Sequence, residues 1–404
     1  MTESRNVTRS VTIETTPELA FEALTRGGEL REWLCDDART QVQPGGRYEV
    51  RWNQGYRAEG RFTEMETPRL AAVTWRGSGE PGETAVRFTV TALGEGVQVS
   101  VLHSGFGPGN EWDGAVAWAE RGWASGLENL KSVLESGIDL RMARMPFMGI
   151  LYEYWNAERA AKEGIAADRG IYVAGTIEGS GARAAALAHG DVIVAIDGIP
   201  TGDVEALEPI LSARRAGDTI QMELVRGQVH EKVTVTLGSR PMEELPASTE
   251  ELAGRLAARF AETDAQLRTV LLGVSDEEAD RAPAPGEWSV KQVLAHLSAG
   301  ERDTEYFVIE IAGGGWPEGV EGSAEAVSAR LAAALSVTPT VQGLVERLVL
   351  EEAETVAMLR LLPPEAMAHK ARMRRIAQNM RYHPIHTQEH IAQIEATIQA
   401  VRGH

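Results

Sequence analysis

Two hydrophobic periods alternate along this 404-residue chain, and the places where they switch divide it. Residues 7–14 form a β-rich run. Thr16-Pro17-Glu18 then predicts a helix start: threonine caps free N–H groups, proline suits the first turn, and an acid suits the positive end of the helix dipole. Ala20, Phe21, Ala23, Leu24 and Leu30 supply the inner stripe of that helix. From about 40 to 104 the period falls to two, with turns at Pro44-Gly45-Gly46, Gly55, Gly77-Ser78-Gly79 and Gly94-Glu95-Gly96. This predicts an antiparallel meander with strands near 47–53, 57–66, 69–76, 83–92 and 96–104. A helix over 111–135 follows, carrying Trp112, Trp118, Trp123, Leu127 and Leu130.

Residues 138–144 read as a linker, and the pattern then shortens. Strands are expected over 170–177, 219–225 and 229–237, with a Gly190-Asp191-Val192-Ile193 run before Asp197-Gly198 and a helix from Val204 to Ala213. A second linker, 241–246, is bounded by prolines. Beyond it the period is helical to the end. Ser248 and Glu251 form a capping-box pattern before the stripe Leu252, Leu256, Phe260 and Leu267. A helical segment over 288–297 follows Pro285-Gly286, a Gly-rich loop with Trp316 occupies 312–320, and another helix is expected over 338–361.

The last helical segment changes the picture, because it contains His383, His386 and His390. Residues at i and i+4 share a helix face, so His386 and His390 have the spacing to hold one metal ion. Two ligands rarely suffice. His296, beside the apolar positions Val293, Leu294 and Leu297, is the candidate third. Three neutral nitrogens suit a divalent transition metal: zinc, nickel, iron or manganese. A lone histidine at such a place is more commonly a satisfied core residue, and His383 reads as an exposed residue near a helix start. Glu301 lies roughly 140° round the helix from His296 and is a poor general base. Glu389 faces away from the pair.

Composition narrows the function classes. The formal charge of −19 argues against nucleic acid, which needs clustered Lys and Arg. The one dense basic run, Lys370 to Arg375, reads as a solvated face. No apolar run reaches the ~18 residues of a membrane span, and the N-terminus lacks a signal-peptide core, so no membrane partner and a cytoplasmic location are expected. The lone Cys35 excludes an intrachain disulfide and a Cys-rich metal site. No nucleophile with an adjacent base, phosphate loop or dinucleotide fingerprint is present, so catalytic residues stay unassigned.

Three resemblances follow from these residues. Pro17–Thr25, Trp33 and Gly122–Leu130 make residues 1–140 resemble the START-like SRPBCC superfamily, nearest the homologues of the heat-shock-protein ATPase activator. That implies an α+β helix-grip fold, with Trp33, Trp52, Trp75, Trp118 and Trp123 lining a cavity for a small apolar molecule. A core merely filled with large rings is the competing reading. The Gly190–Ile193 run with Asp197-Gly198 makes residues 144–240 resemble a mainly β PDZ domain of the bacterial protease-associated type. The resemblance implies a carboxylate-binding loop at Phe147-Met148-Gly149-Ile150 and a groove between Leu151-Tyr152 and Leu207-Leu211 for protein or peptide C-termini. Gly286–Lys291, His296 and His386-x-x-x-His390 make residues 245–404 resemble the DinB/YfiT-like all-α four-helix bundles, whose matching histidines hold a divalent metal. The expected chain is thus a multidomain one. Its function reads as a stress-related binding or adaptor protein, with a metal-dependent thiol S-transferase or hydrolase as the alternative. The oligomeric state is open.

Overall fold

The computed structural model describes residues 5–403 apart from Tyr154, Ala213, Pro241, Glu243 and 318–322, and leaves aside the side chains of Glu208, Ala324 and 382–385. The chain forms two compact units: residues up to Ile138 together with Glu244 onward, and Asp139–Glu243.

The first unit begins with β1 (Arg5–Ile13), α1 (Pro17–Thr25) and α2 (Gly27–Trp33). Six further strands follow: β2 (Asp37–Thr40), β3 (Arg47–Arg51), β4 (Arg57–Glu66), β5 (Leu70–Gly77), β6 (Thr84–Leu93) and β7 (Gly96–Phe106). They form one antiparallel sheet in the order β1-β7-β6-β5-β4-β3-β2. α3 (Asp113–Ser136) packs its Trp123, Leu127 and Leu130 into the core against Phe21, Trp33, Phe62 and Trp75. The single helix expected after Thr16 is two. The chain leaves the helix at Arg26 (φ −87°, ψ 131°) and restarts at Gly27, whose N–H donates to Thr40 Oγ1 at 2.9 Å.

The second unit contains α4 (Leu140–Ala143), β8 (Pro146–Phe147), β9 (Ile150–Glu153), α5 (Ala157–Glu163), β10 (Ile171–Thr176), α6 (Gly181–Ala184), β11 (Asp191–Ile196) and β12 (Ile199–Pro200). It closes with α7 (Leu207–Ser212), β13 (Thr219–Arg226), β14 (Val229–Thr236) and β15 (Gly238–Ser239). The main sheet runs β14-β13-β11-β10-β9, with β12 beside β11, and β15 pairs with β8. The helix expected from Val204 opens as a 3-10 turn, and its last expected residue, Ala213, lies outside the described residues. α5 was not foreseen. Behind it, Trp155 stacks on Tyr172 at 4.8 Å, and Arg159 lies 4.1 Å over the Tyr172 ring.

The rest of the first unit is helical: α8 (Thr249–Val270), α9 (Asp276–Asp280), α10 (Val290–Ala312), α11 (Ala324–Val337), α12 (Val341–Leu361) and α13 (Lys370–Gly403). Ser248 caps α8 as expected, but Glu251 accepts from Ala247 N instead of the Ser248 amide. A complete capping box forms at Ser289 and Gln292, opening α10. α13 starts at Lys370, so position 383 lies inside a helix and not near its start; the His383 side chain lies outside the described ones.

The expected solvated face at Lys370–Arg375 is also corrected. Arg372 is 6% exposed and ion-paired to Glu29, and Arg375 is paired to Glu32. Lys370 Nζ donates to Glu135 O at 2.6 Å and Arg374 to Ser136 O at 2.9 Å. Those carbonyls end α3, where four oxygens lack helical partners and the dipole favours cations. A Cβ on Gly28 would lie 2.0 Å from the Gly314 carbonyl oxygen, so the backbones of the two modules touch there.

Candidate metal centre

α10 and α13 lie side by side, and this brings the three predicted histidines together. One ligand atom from each of His296, His386 and His390 lies within 4.8 Å of the others. His386 Nε2 and His390 Nε2 are 3.0 Å apart. Two nitrogens at ~2.0–2.1 Å from one ion stand about 3 Å from each other, so this pair already has the spacing of ligands to a shared metal. The three rings meet edge to face, with centroids 4.4–5.4 Å apart.

The surroundings hold His296 and His386 neutral. Burial and the neighbouring imidazoles of His390 and His386 push His296 down to about 4, with Arg330 adding to the effect and Asp303 opposing it. His386 is lowered as well, chiefly by burial and then by His390. A neutral imidazole offers a lone pair to a metal, and a protonated one does not. His390 Nδ1 is 2.8 Å from Gln393 Oε1, an acceptor, so Nδ1 carries the proton and Nε2 is left as the donor atom. Gln393 thus fixes the tautomer, as metal-bound histidines generally require. Trp288 closes one side, with its ring 5.0 Å from His296 and 6.5 Å from His390. Arg330 of α11 holds Asp303 at 2.8 Å and the Ala299 carbonyl at 2.9 Å beside it. The donor set and its spacing fit a divalent transition metal.

Sequence reasoning missed Gln393, although its i+3 spacing from His390 is a visible signal. Arg330 had none, since it sits in a helix that was not expected. Glu301 is fully buried and belongs to the interior of the bundle, and Glu389 is exposed, as its spacing implied.

In the second unit Gly149 has φ +81°, and the Gly149 and Met148 carbonyls accept from Ile177 N at 2.9 Å and Ala182 N at 3.0 Å. Met148 is buried, and Phe147 lies 5.3 Å under the Arg240 guanidinium. Ile150 and α7 residues Leu207 and Leu211 pack at the margin of the core. Leu151 and Tyr152, on the terminal strand β9, are 53% and 54% exposed.

The five tryptophans expected to line a cavity divide into two groups. Trp33, Trp75 and Trp123 are buried at 1–3% exposure, whereas Trp52 and Trp118 are half-buried and pack with Tyr56. Four of the indole N–H groups donate internally: Trp33 to Ala23 O, Trp52 to Leu34 O, Trp75 to Tyr56 Oη and Trp123 to His103 Nδ1. His103, not foreseen, is fully buried. Because Nδ1 accepts from Trp123, its Nε2 donates to Thr84 Oγ1 at 2.7 Å, and burial pushes it down to about 4. It is a satisfied core histidine.

Three family models match the chain in sequence: Activator of Hsp90 ATPase homolog 1-like protein over residues 14–135, PDZ domain over 137–237, and DinB superfamily over 247–394. The chain is therefore multidomain, with the three modules in the order the motifs indicated. A curated relative, the probable periplasmic serine endoprotease DegP-like of Hahella chejuensis, is 28% identical over 156 residues, 39% of this chain. The chain spans 32% of that protein's length. Among solved structures, protein MLL2253 from Mesorhizobium loti is 25% identical, matching 32% of this chain and 96% of its own at a TM-score of 0.30. The Aha1 dimer from Colwellia psychrerythraea is 22% identical, matching 32% and 96% at 0.29. Among the described residues no helix is long and apolar enough to cross a membrane.

Proposed function

We propose that this chain is a cytoplasmic, stress-related binding or adaptor protein with three ligands. Its bundle holds one divalent transition metal at His296, His386 and His390. Its PDZ module takes peptide C-termini, and its N-terminal module takes a small apolar molecule. The observation that carries the metal assignment is the convergence of three histidine nitrogens within 4.8 Å, two of them 3.0 Å apart. Nitrogen donors favour zinc, nickel, iron or manganese over magnesium or calcium. The position of β9 at the end of the sheet, with no further strand beside it among the described residues, and the exposed Leu151 and Tyr152 support strand addition by a peptide, with its carboxylate at Phe147–Ile150. The test of the metal is elemental analysis of purified protein. About one divalent ion per chain is expected, with most of it lost in His386→Ala. Full occupancy in a variant with all three histidines replaced by alanine would refute the site.

One feature favours the alternative, a metal-dependent transferase or hydrolase. Three protein ligands leave coordination positions open, the arrangement of catalytic rather than structural zinc. A bound metal would supply Lewis acidity toward a thiol or water; here Gln393 orients His390, and Trp288 shields one side. Turnover of thiol conjugates by metal-loaded protein, absent from the alanine variants, separates the two readings.

A further inference from the structure

The entry and exit of the second unit meet at the loop into which β8 leads. β8 pairs antiparallel with β15, with Phe147 opposite Gly238 and Pro146 opposite Ser239. Arg240 follows one residue past β15, on the face it shares with Gly238 because side chains alternate along an extended chain. It is therefore a diagonal neighbour of Phe147, within reach of a long side chain. Gly238 has no side chain to stand between them. The Arg240 guanidinium lies 5.3 Å over the Phe147 ring, in the range of a cation–π contact. The ring in turn abuts Gly149, where an added Cβ would lie 3.3 Å from Phe147 Cε1.

This cation has no counter-ion. In the same unit Arg141, Arg159, Arg214 and Arg226 each meet an acid at 2.6–2.9 Å. Arg240 makes no ion pair or hydrogen bond among the described residues, although it is half-buried and its Nε is closed to solvent. An N–H shut away from water without an acceptor is destabilising. Backbone donors of the loop are in the same position. The carbonyls of Met148 and Gly149 accept from Ala182 N and Ile177 N, but the N–H groups of Met148 and Gly149 donate to no acceptor among the described residues.

We propose that Arg240 is a binding residue for the C-terminal carboxylate of a peptide, supplying the charge that the loop Phe147–Ile150 lacks, with the Phe147 ring holding the guanidinium in place. The proposal rests on the reading of this unit as a binder of peptide C-termini, and adds to it a cation brought by the last strand. The four loop residues are uncharged, so backbone dipoles alone would otherwise face the anion. A planar guanidinium offers two parallel N–H donors to a carboxylate, and such charge-assisted bonds are stronger than neutral ones. Discrimination of a free terminus from an amidated one or an internal segment therefore depends on Arg240.

The experiment uses the full chain and fluorescence anisotropy. The probe is a fluorescein-labelled peptide selected on wild-type protein from a library of random C-termini, then prepared both as the free acid and as the amide. Wild-type protein should bind the free acid more tightly. Arg240→Gln should cut that preference roughly tenfold or more and leave affinity for the amide nearly unchanged. The amide thus reports whether the groove is still folded. Arg240→Lys, a point charge without the planar fork, should fall between the two. If Arg240→Gln loses the amide as well, Arg240→Met, whose stem still covers the Phe147 ring, is read in the same way. A free-acid preference unchanged in Arg240→Gln would show that the loop N–H groups suffice; it would overturn the role of Arg240 and leave the peptide reading standing. Equal loss of acid and amide in both the Gln and Met variants would make Arg240 a packing residue only, and would overturn the proposal too. No selected peptide, or equal wild-type affinity for acid and amide, would defeat the peptide reading itself and the proposal with it.

Discussion

Arg372 on α13 and Glu29 on α2 form an ion pair closed to solvent on both sides, with exposures of 6% and 7%. One turn further along each helix, Arg375 meets Glu32, so an i, i+3 pair of cations faces an i, i+3 pair of acids. Trp316 lies beneath two guanidiniums, with Arg375 at 3.4 Å and Arg31 at 4.3 Å from its ring. A buried pair contributes little against a well-packed apolar substitute, but removing one partner strands the other charge at a cost of about 3–5 kcal/mol. Glu29→Leu should therefore lower the urea midpoint of this unit sharply, and adding Arg372→Met should recover much of the loss. Equal destabilisation by the single and double variants would show that the pair is not what holds the contact.

The same helix carries Arg372 and Arg375 at one end and His386 and His390 farther along. Metal binding adds RT ln(1 + [L]/Kd) to the folded state, about 2.7 kcal/mol at 100 Kd. A sequence divided by its linkers suggests that chelator destabilises the bundle alone. The shared interface instead predicts that chelation also speeds amide exchange in β5, β6 and β7 of the N-terminal sheet. Hydrogen exchange by mass spectrometry decides this, and faster exchange confined to α8–α13 would show the modules to be energetically separate.

Proton competition at the histidines should begin later than usual. His296 is held at about 4 and His386 is lowered, each principally by burial. A depressed folded value keeps the neutral form, and its contribution to stability, above the unfolded value of 6.5; that contribution is lost as pH falls through the folded value. Metal content measured after dialysis at descending pH should have its midpoint below ~6.5. Release centred on that ordinary value would contradict the burial of these rings.

The buried acids Glu301 on α10 and Glu352 on α12 give the opposite trend. Burial raises Glu301 to about 8 and Glu352 to about 10 from an unfolded value of 4.5. Their contribution to stability is complete below the unfolded value and is lost as pH rises through the folded ones. Metal-free protein should therefore weaken between neutral and alkaline pH, by on the order of 1 kcal/mol per pH unit per group where each titrates. Glu352→Gln, which cannot ionise, should flatten the slope. An unchanged slope in denaturation curves at stepped pH would count against it.

In the second unit, Gly149 has the left-handed φ of +81°, and a Cβ there would lie 2.1 Å from Ser180 Cβ. Gly149→Ala should cost about 1–3 kcal/mol of that unit's stability and abolish binding of peptides with a free C-terminal carboxylate. Fluorescence anisotropy with free and amidated peptides tests it. Equal affinity for both in the wild type would remove the carboxylate loop from consideration.

What the sequence determined was local. His386 and His390 share a face because four residues nearly complete a helical turn, and Gly190–Ile193 with Asp197-Gly198 marks its module in a single short run. The meander was legible because side chains alternate across a strand. Tertiary structure decided the rest. Whether His296 reaches the other two depends on α10 and α13 being neighbours. Lys370–Arg375 looks like a solvated face until α2 and the end of α3 are brought against it. Asp264, Glu301 and Glu352 each resemble ordinary charged positions on their own helices. Only the packing of α8, α10 and α12 buries Glu301 and Glu352 and half-buries Asp264, because burial and the electrostatic cost that comes with it depend on neighbours that the linear order does not specify.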